Sequence, residues 1–298
     1  ADPGFPGRTV HSMGAKEKSQ ARAHAADLLR NKAGFCALIS NQCITAVHEP
    51  EAYVRSVLFD MLNEYKQCDG LGGCKQTPGK ELCSRESLEK RKTIPHNWHH
   101  NVDIATECHA DYKFVITMDN QKEEGYVTEK IFNGLLANSV PIYFGAPDVT
   151  DYVNIDAVVV CDIAPAKLAK MRAFWIANGT KLKWRKGIIG RPDAVAFLST
   201  LHLEDDLRPC ADRIIQLDQD DEQYLDMLTA PFLPLAYNDT IRHSHYDGWA
   251  LANGLKEVLK ALDSPLFDTS TRPSGPDRAA HGMLDSTPGT DEAITTGE

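Results

Sequence analysis

Short, unbroken apolar runs alternate along this chain with stretches whose apolar residues recur every three or four positions. Residues 35–39 (FCALI), 114–118 (FVITM), 140–144 (VPIYF) and 157–161 (AVVVC) form the runs. A strand buried on both faces needs no polar alternation, so these runs predict central strands. Between them, Tyr53, Val57, Leu58, Met61, Leu62 and Tyr65 share one helical face. They predict a helix over 52–65, entered just past Pro50. Ile131, Phe132, Leu135 and Leu136 predict another over 126–138, with Thr128 near its start. Residues 15–32 read as a helix stopped by Gly34, and 206–228 and 247–262 read as two more. Residues 96–100 and 104–112 fit either element, and 165–203 show no simple period.

Strand and helix in alternation, with short continuous strands, predict an α/β fold: a doubly wound, Rossmann-like parallel sheet covered on both faces. Residues 1–15, rich in Gly and Pro, are expected to be disordered. Residues 16–262 are expected to form the α/β domain, with an apparent insertion at 165–203. Residues 263–298, dominated by Pro, Ser, Thr and Gly, read as a disordered tail.

Composition narrows the function classes. The 298 residues are 42% hydrophobic and 25% charged, ordinary for a globular protein. No run approaches the length of a membrane-spanning helix. The opening residues lack the charged and apolar regions of a signal peptide, and the first residue is Ala, so any anchor or leader is expected on sequence preceding this chain. The net charge of −10 is concentrated. Residues 204–226 hold nine acids against two bases and residues 264–298 six against two, which accounts for the whole excess. No basic stripe supplies the charge that nucleic acid demands, so nucleic acid is not an expected partner.

Eight cysteines are too sparse for a disulfide scaffold. Cys68, Cys74 and Cys83 cluster in a Gly-rich loop, where either a disulfide or a zinc site would fit the residue types. Cys36 and Cys161 lie in apolar runs and read as buried thiols. His96, His99 and His100 read as a solvated loop rather than a metal site. Asn178-Gly-Thr180 and Asn238-Asp-Thr240 fit the N-glycosylation triplet.

The densest chemical signal runs from Phe114 to Pro147. A strand delivers Asn120 at its carboxyl end, a short polar loop follows, and a helix begins. In open α/β sheets ligands bind beyond the carboxyl ends of the strands, and a helix N-terminus there favours an anion. Lys130 in the first turn opposes the helix dipole. A bound diphosphate would relieve that, so Lys130 reads as a phosphate contact, Glu129 as an acceptor from sugar hydroxyls, and Tyr126 as a stacking or hydrogen-bonding group. A plain amphipathic helix carrying a surface Glu-Lys pair fits the same residues.

The run GYVTEKI, eight residues, then VPIYFGAP (125–147) resembles the signature of the α-1,3-fucosyltransferase family, glycosyltransferase family 10. FCALISN (35–41), the helix bearing Arg55, and DDEQYL (220–225) extend the likeness. It covers residues 35–161 well and 218–233 loosely. The resemblance implies the donor-binding half of a two-domain GT-B enzyme that transfers L-fucose from GDP-fucose to a glycan acceptor, with inversion, in protein glycosylation. By matching positions, Arg55 would contact the diphosphate, Asn120 would help hold the donor, Tyr126, Glu129 and Lys130 would hold phosphate and ribose, and Ser40 would line the pocket. No cofactor is expected beyond the GDP-fucose donor, no metal site is nominated, and cation dependence stays open. Location in the Golgi membrane, with a lumenal catalytic domain, also comes from the resemblance.

Three departures qualify the match. Met118-Asp119-Asn120 stands where the family has Phe-Glu-Asn, which shortens the acid by one methylene. Residues 165–203 look like added sequence. Only about 34 residues precede the first strand, so the acceptor domain with its general base is expected outside this chain, and no base is nominated. Two other readings remain: an inactive GDP-sugar-binding fragment, or a two-domain glycosyltransferase using a different nucleotide.

Overall fold

Five parallel strands form one sheet in the order β2-β1-β3-β4-β5 in the computed structural model, which describes residues 15–40, 50–79, 102–178 and 192–232. The strands are β1 (Gly34–Leu38), β2 (Cys68–Gly70), β3 (Tyr112–Ile116), β4 (Val140–Tyr143) and β5 (Val159–Val160). The helices are α1 (Ala15–Arg30), α2 (Val54–Tyr65, entered through a 3-10 turn at Pro50–Tyr53), α3 (Val102–His109), α4 (Glu129–Leu136), α5 (Pro165–Asn178), α6 (Pro192–Ser199), α7 (Leu203–Gln219) and α8 (Asp221–Thr229).

Register explains why the strands read as unbroken apolar runs. Cys36 pairs with Cys68 and Phe114, and Phe114 with Val140, so these side chains share one face. That face packs into the main core with Val54, Leu58 and Leu62 of α2 and Leu207, Ile214 and Leu217 of α7. Ala37 and Val115 point the other way, toward Cys108 of α3. Tyr143 packs there with Ile131, Phe132, Leu135 and Leu136 of α4. Helices on both faces make the expected doubly wound sheet. Gly134 lets α4 approach closely, because a Cβ there would sit 2.8 Å from Val115 Cγ2.

Several boundaries differ from expectation. The helix predicted from 126 starts at Glu129, because Thr128 is extended (φ −106°, ψ 175°) and residues 126–128 close the preceding loop instead. The run 157–161 is a strand only at Val159–Val160, with a 3-10 turn at Ile155–Ala157 before it. The single helix expected over 206–228 is two, broken at Asp220, whose carboxylate accepts from Gln223 N at 3.0 Å and caps α8. The unpatterned stretch 165–203 contains α5 and α6, whose Met171, Trp175, Ala194 and Leu198 enter the main core.

Cys161 is not a thiol. It is disulfide-bonded to Cys210 of α7, because α7 crosses beside β5 with the two Cα atoms 5.3 Å apart. Cys74 and Cys108 are also disulfide-bonded, whereas Cys36 and Cys68 are buried thiols. The expectations for residues 1–14, Cys83, the three histidines at 96–100, Asn238, the helix at 247–262 and the tail lie outside the described residues. Among the described residues, no helix is long and apolar enough to cross a membrane.

Candidate functional site

The strand order places the reversal of winding between β1 and β3. The chain leaves β1 for one neighbour, β2, and later returns to its other side through β3. At such a switch point the loops beyond the two carboxyl ends diverge and leave a crevice where ligands bind. The β1 loop leads through Ser40 toward α2 and Arg55. The β3 loop carries Asp119, Asn120 and Tyr126 toward α4.

Arg55 and Asn120 meet across this crevice. Arg55 Nη2 donates to Asn120 Oδ1 at 2.5 Å. Its Nε donates to the Ala52 carbonyl at 2.9 Å, which fixes the guanidinium plane against its own helix entry. Arg55 is only 3% exposed. A planar guanidinium held from behind suits capture of a phosphate by paired N–H donors.

Lys130 faces a second anchored group. Its Nζ lies 3.6 Å from Asp119 Oδ1 and 3.1 Å from Thr128 Oγ1. The Asp119 carboxylate is fully buried and accepts from the Thr128 hydroxyl and, at 2.8 Å, from the Tyr143 hydroxyl. Burial raises the Asp119 pKa from its usual value, against the opposing pull of Lys130, Thr128 and Tyr143. Burial, then the Asp119 charge, raises the Tyr143 pKa, so its hydroxyl stays a donor. Thr128 precedes α4 but makes no side-chain cap, because its hydroxyl serves Asp119. The first N–H groups of α4 therefore have no side-chain acceptor from their N-cap residue, an arrangement suited to an anion.

The remaining nominated residues lie at the same edge. Ser40 is half-buried, and its carbonyl accepts from Cys74 N at 2.8 Å. Tyr126 is half-buried on the loop, and its amide closes a turn onto the Glu123 carbonyl at 3.1 Å. Glu129, the first residue of α4, is exposed. Gly125 (φ 74°) turns the chain before Tyr126, and its N–H donates to both carboxylate oxygens of Asp148 at 3.0 Å. The sequence reading nominated neither Asp119 nor Tyr143. Their adjacency to Asn120 and their place in the VPIYF run were the available signals, but the contact itself joins residues 24 apart. Among the described residues, no group of three or more His, Cys, Asp or Glu could hold a metal ion.

Residues 30–172 match the model of the C-terminal domain of glycosyltransferase family 10 (fucosyltransferase). This stretch therefore resembles a family 10 fucosyltransferase domain. It contains all six nominated residues and ends inside α5. The α-(1,3)-fucosyltransferase FucT of Helicobacter pylori is 28% identical over 123 residues, 41% of this chain and 20% of that protein. GDP-fucose protein O-fucosyltransferase 3 of Gallus gallus is 34% identical over 91 residues, 28% of this chain and 19% of that protein. The chain thus spans about a fifth of the length of these curated relatives. A crystal structure of an α1,3-fucosyltransferase with GDP-fucose aligns at TM-score 0.40 and 18% identity, over 83% of this chain and 54% of that one.

Proposed function

We propose that the α/β domain is the donor-binding half of a GT-B fucosyltransferase that holds GDP-fucose at the β1/β3 switch point. The observation that carries this reading is the Arg55–Asn120 bond across the crevice, beside Lys130 at the start of α4, all within the family 10 stretch. The reaction is transfer of L-fucose to a glycan acceptor in an α-1,3 linkage, with inversion at the anomeric carbon and in the service of protein glycosylation. As the glycosidic bond to GDP breaks, negative charge gathers on the diphosphate. Arg55, Lys130 and the α4 N–H groups stabilise that charge more in the transition state than in the ground state. Tyr126 and Glu129 hold ribose or sugar, and Ser40 lines the pocket. A carboxylate from an acceptor-binding domain takes the acceptor proton. A Golgi lumenal setting suits such an enzyme and a chain with four disulfide-bonded cysteines among the described residues.

Calorimetry on the chain with GDP, UDP and ADP tests the nucleotide. Selective binding of GDP, weakened at least tenfold by Lys130→Ala, is expected on the scale of a lost charge-assisted hydrogen bond. Preference for UDP would end the fucose reading. A transfer assay with GDP-fucose and N-acetyllactosamine tests the acceptor linkage.

A further inference from the structure

The loop that carries Asn120 and Tyr126, residues 117–128, contains neither helix nor strand. Its ends are fixed by β3 and by the Asp119–Thr128 contact. Its middle is held from outside, by α5. Arg172 Nη2 donates to the Lys122 carbonyl at 2.9 Å and pairs with Glu123 Oε1 at 2.8 Å. Arg172 Nε donates to Glu51 Oε1 at 2.6 Å. Glu51 lies in the 3-10 turn that leads into α2, four residues before Arg55, and is 2% exposed. Lys122 in turn pairs with Asp162, just past β5. One guanidinium therefore joins the helix entry that bears Arg55, the loop that bears Asn120, and α5.

The chemistry at Glu51 makes this more than an incidental pair. Glu51 Oε2 is buried and has no hydrogen-bond partner among the described residues. A buried carboxylate needs a counter-charge, and the described residues give it Arg172. A guanidinium facing a carboxylate squarely would engage both oxygens. Arg172 instead spends Nε on one oxygen and turns Nη2 to the loop, which is the geometry of a clamp between segments.

We propose that Arg172 is a positioning residue for the donor site. It presses the middle of loop 117–128 against the α2 entry, so that Asn120 stays within hydrogen-bonding reach of Arg55. Arg172 itself touches no phosphate. This rests on reading the β1/β3 crevice as the donor site, and the test separates the two ideas.

Two measurements on the full chain decide it. Arg172→Gln should raise amide hydrogen exchange in residues 119–127 about tenfold, because a buried paired carboxylate loses its cation. The same variant should weaken GDP binding about tenfold while leaving its salt dependence as in the unmodified chain, because no phosphate contact is lost. Arg172→Lys keeps the charge but not the fork, so it should fall between the two. Adding Glu51→Gln to Arg172→Gln removes the stranded charge and should restore part of the affinity. Unmodified exchange in loop 119–127 with Arg172→Gln would overturn the proposal, as would a reduced salt dependence, which marks a direct phosphate contact. Should the unmodified chain fail to bind GDP, the donor-site reading falls and the exchange experiment still decides the role of Arg172. If Arg172→Gln does not fold, Arg172→Lys carries both measurements, and wild-type behaviour in both would overturn the proposal.

Discussion

Arg55 Nη2 and Asn120 Oδ1 are 2.5 Å apart although 65 residues separate them in the chain. The bond joins the helix after β1 to the loop after β3, the two segments that diverge at the switch point. If this pair forms one phosphate-facing unit, its members act together. Arg55→Ala and Asn120→Ala should each weaken GDP binding, and the double variant should lose less than the sum. A coupling of about 0.5–3 kcal/mol is the range for residues in direct contact. Calorimetric titration of the four proteins gives it, and strict additivity would dissolve the unit.

Asp119→Asn should destabilise the fold by about 1–3 kcal/mol, the cost of leaving buried polar groups mismatched. The carboxylate accepts from Thr128 and Tyr143 and faces Lys130, and an amide cannot accept on both sides. Urea unfolding of the two proteins measures the difference, and equal midpoints would show that the carboxylate is dispensable.

Stability should fall in acid through His109. Its ring is buried, and burial, then the charge of Lys32, lower its pKa from about 6.5 to about 3 against the opposing pull of the Asn133 backbone. The native state therefore binds fewer protons than the unfolded chain between those values. This contribution to stability is complete above about pH 6.5 and is lost at about 1.4 kcal/mol per pH unit as the pH drops toward 3. Denaturation midpoints from pH 7.5 to 4.5 should show a steeper decline for the unmodified chain than for His109→Gln. Parallel declines would assign the acid sensitivity elsewhere.

The Cys161–Cys210 bridge should contribute about 4 kcal/mol, the chain-entropy scale for a separation of 49 residues. The double variant Cys161→Ala/Cys210→Ala should show that loss in chemical unfolding while the other disulfides stay closed. A loss below about 1 kcal/mol would mean that packing of α7 on β5 already holds the two segments.

The strands, the parallel sheet and the helix face of α2 were legible from pattern alone, because burial on both faces imposes continuous apolar runs and burial on one face imposes a helical period. Of the six nominated residues, Asn120, Tyr126, Glu129 and Lys130 were read from the strand–loop–helix pattern, and Ser40 and Arg55 came from the family resemblance. Hydrophobic pattern says where an element is buried but not where it starts. The start of α4 at Glu129 was set by Thr128, whose hydroxyl is drawn to Asp119 and whose backbone is extended. Likewise Cys161 sits in an apolar run fit for a buried thiol, and only the crossing of α7 beside β5 brings Cys210 to it. The roles of Asp119, Tyr143, Glu51 and Arg172 depend on contacts between residues 24 to 121 apart in sequence. Local physics fixes periodicity and turn chemistry, and packing alone decides which distant charges share a buried space.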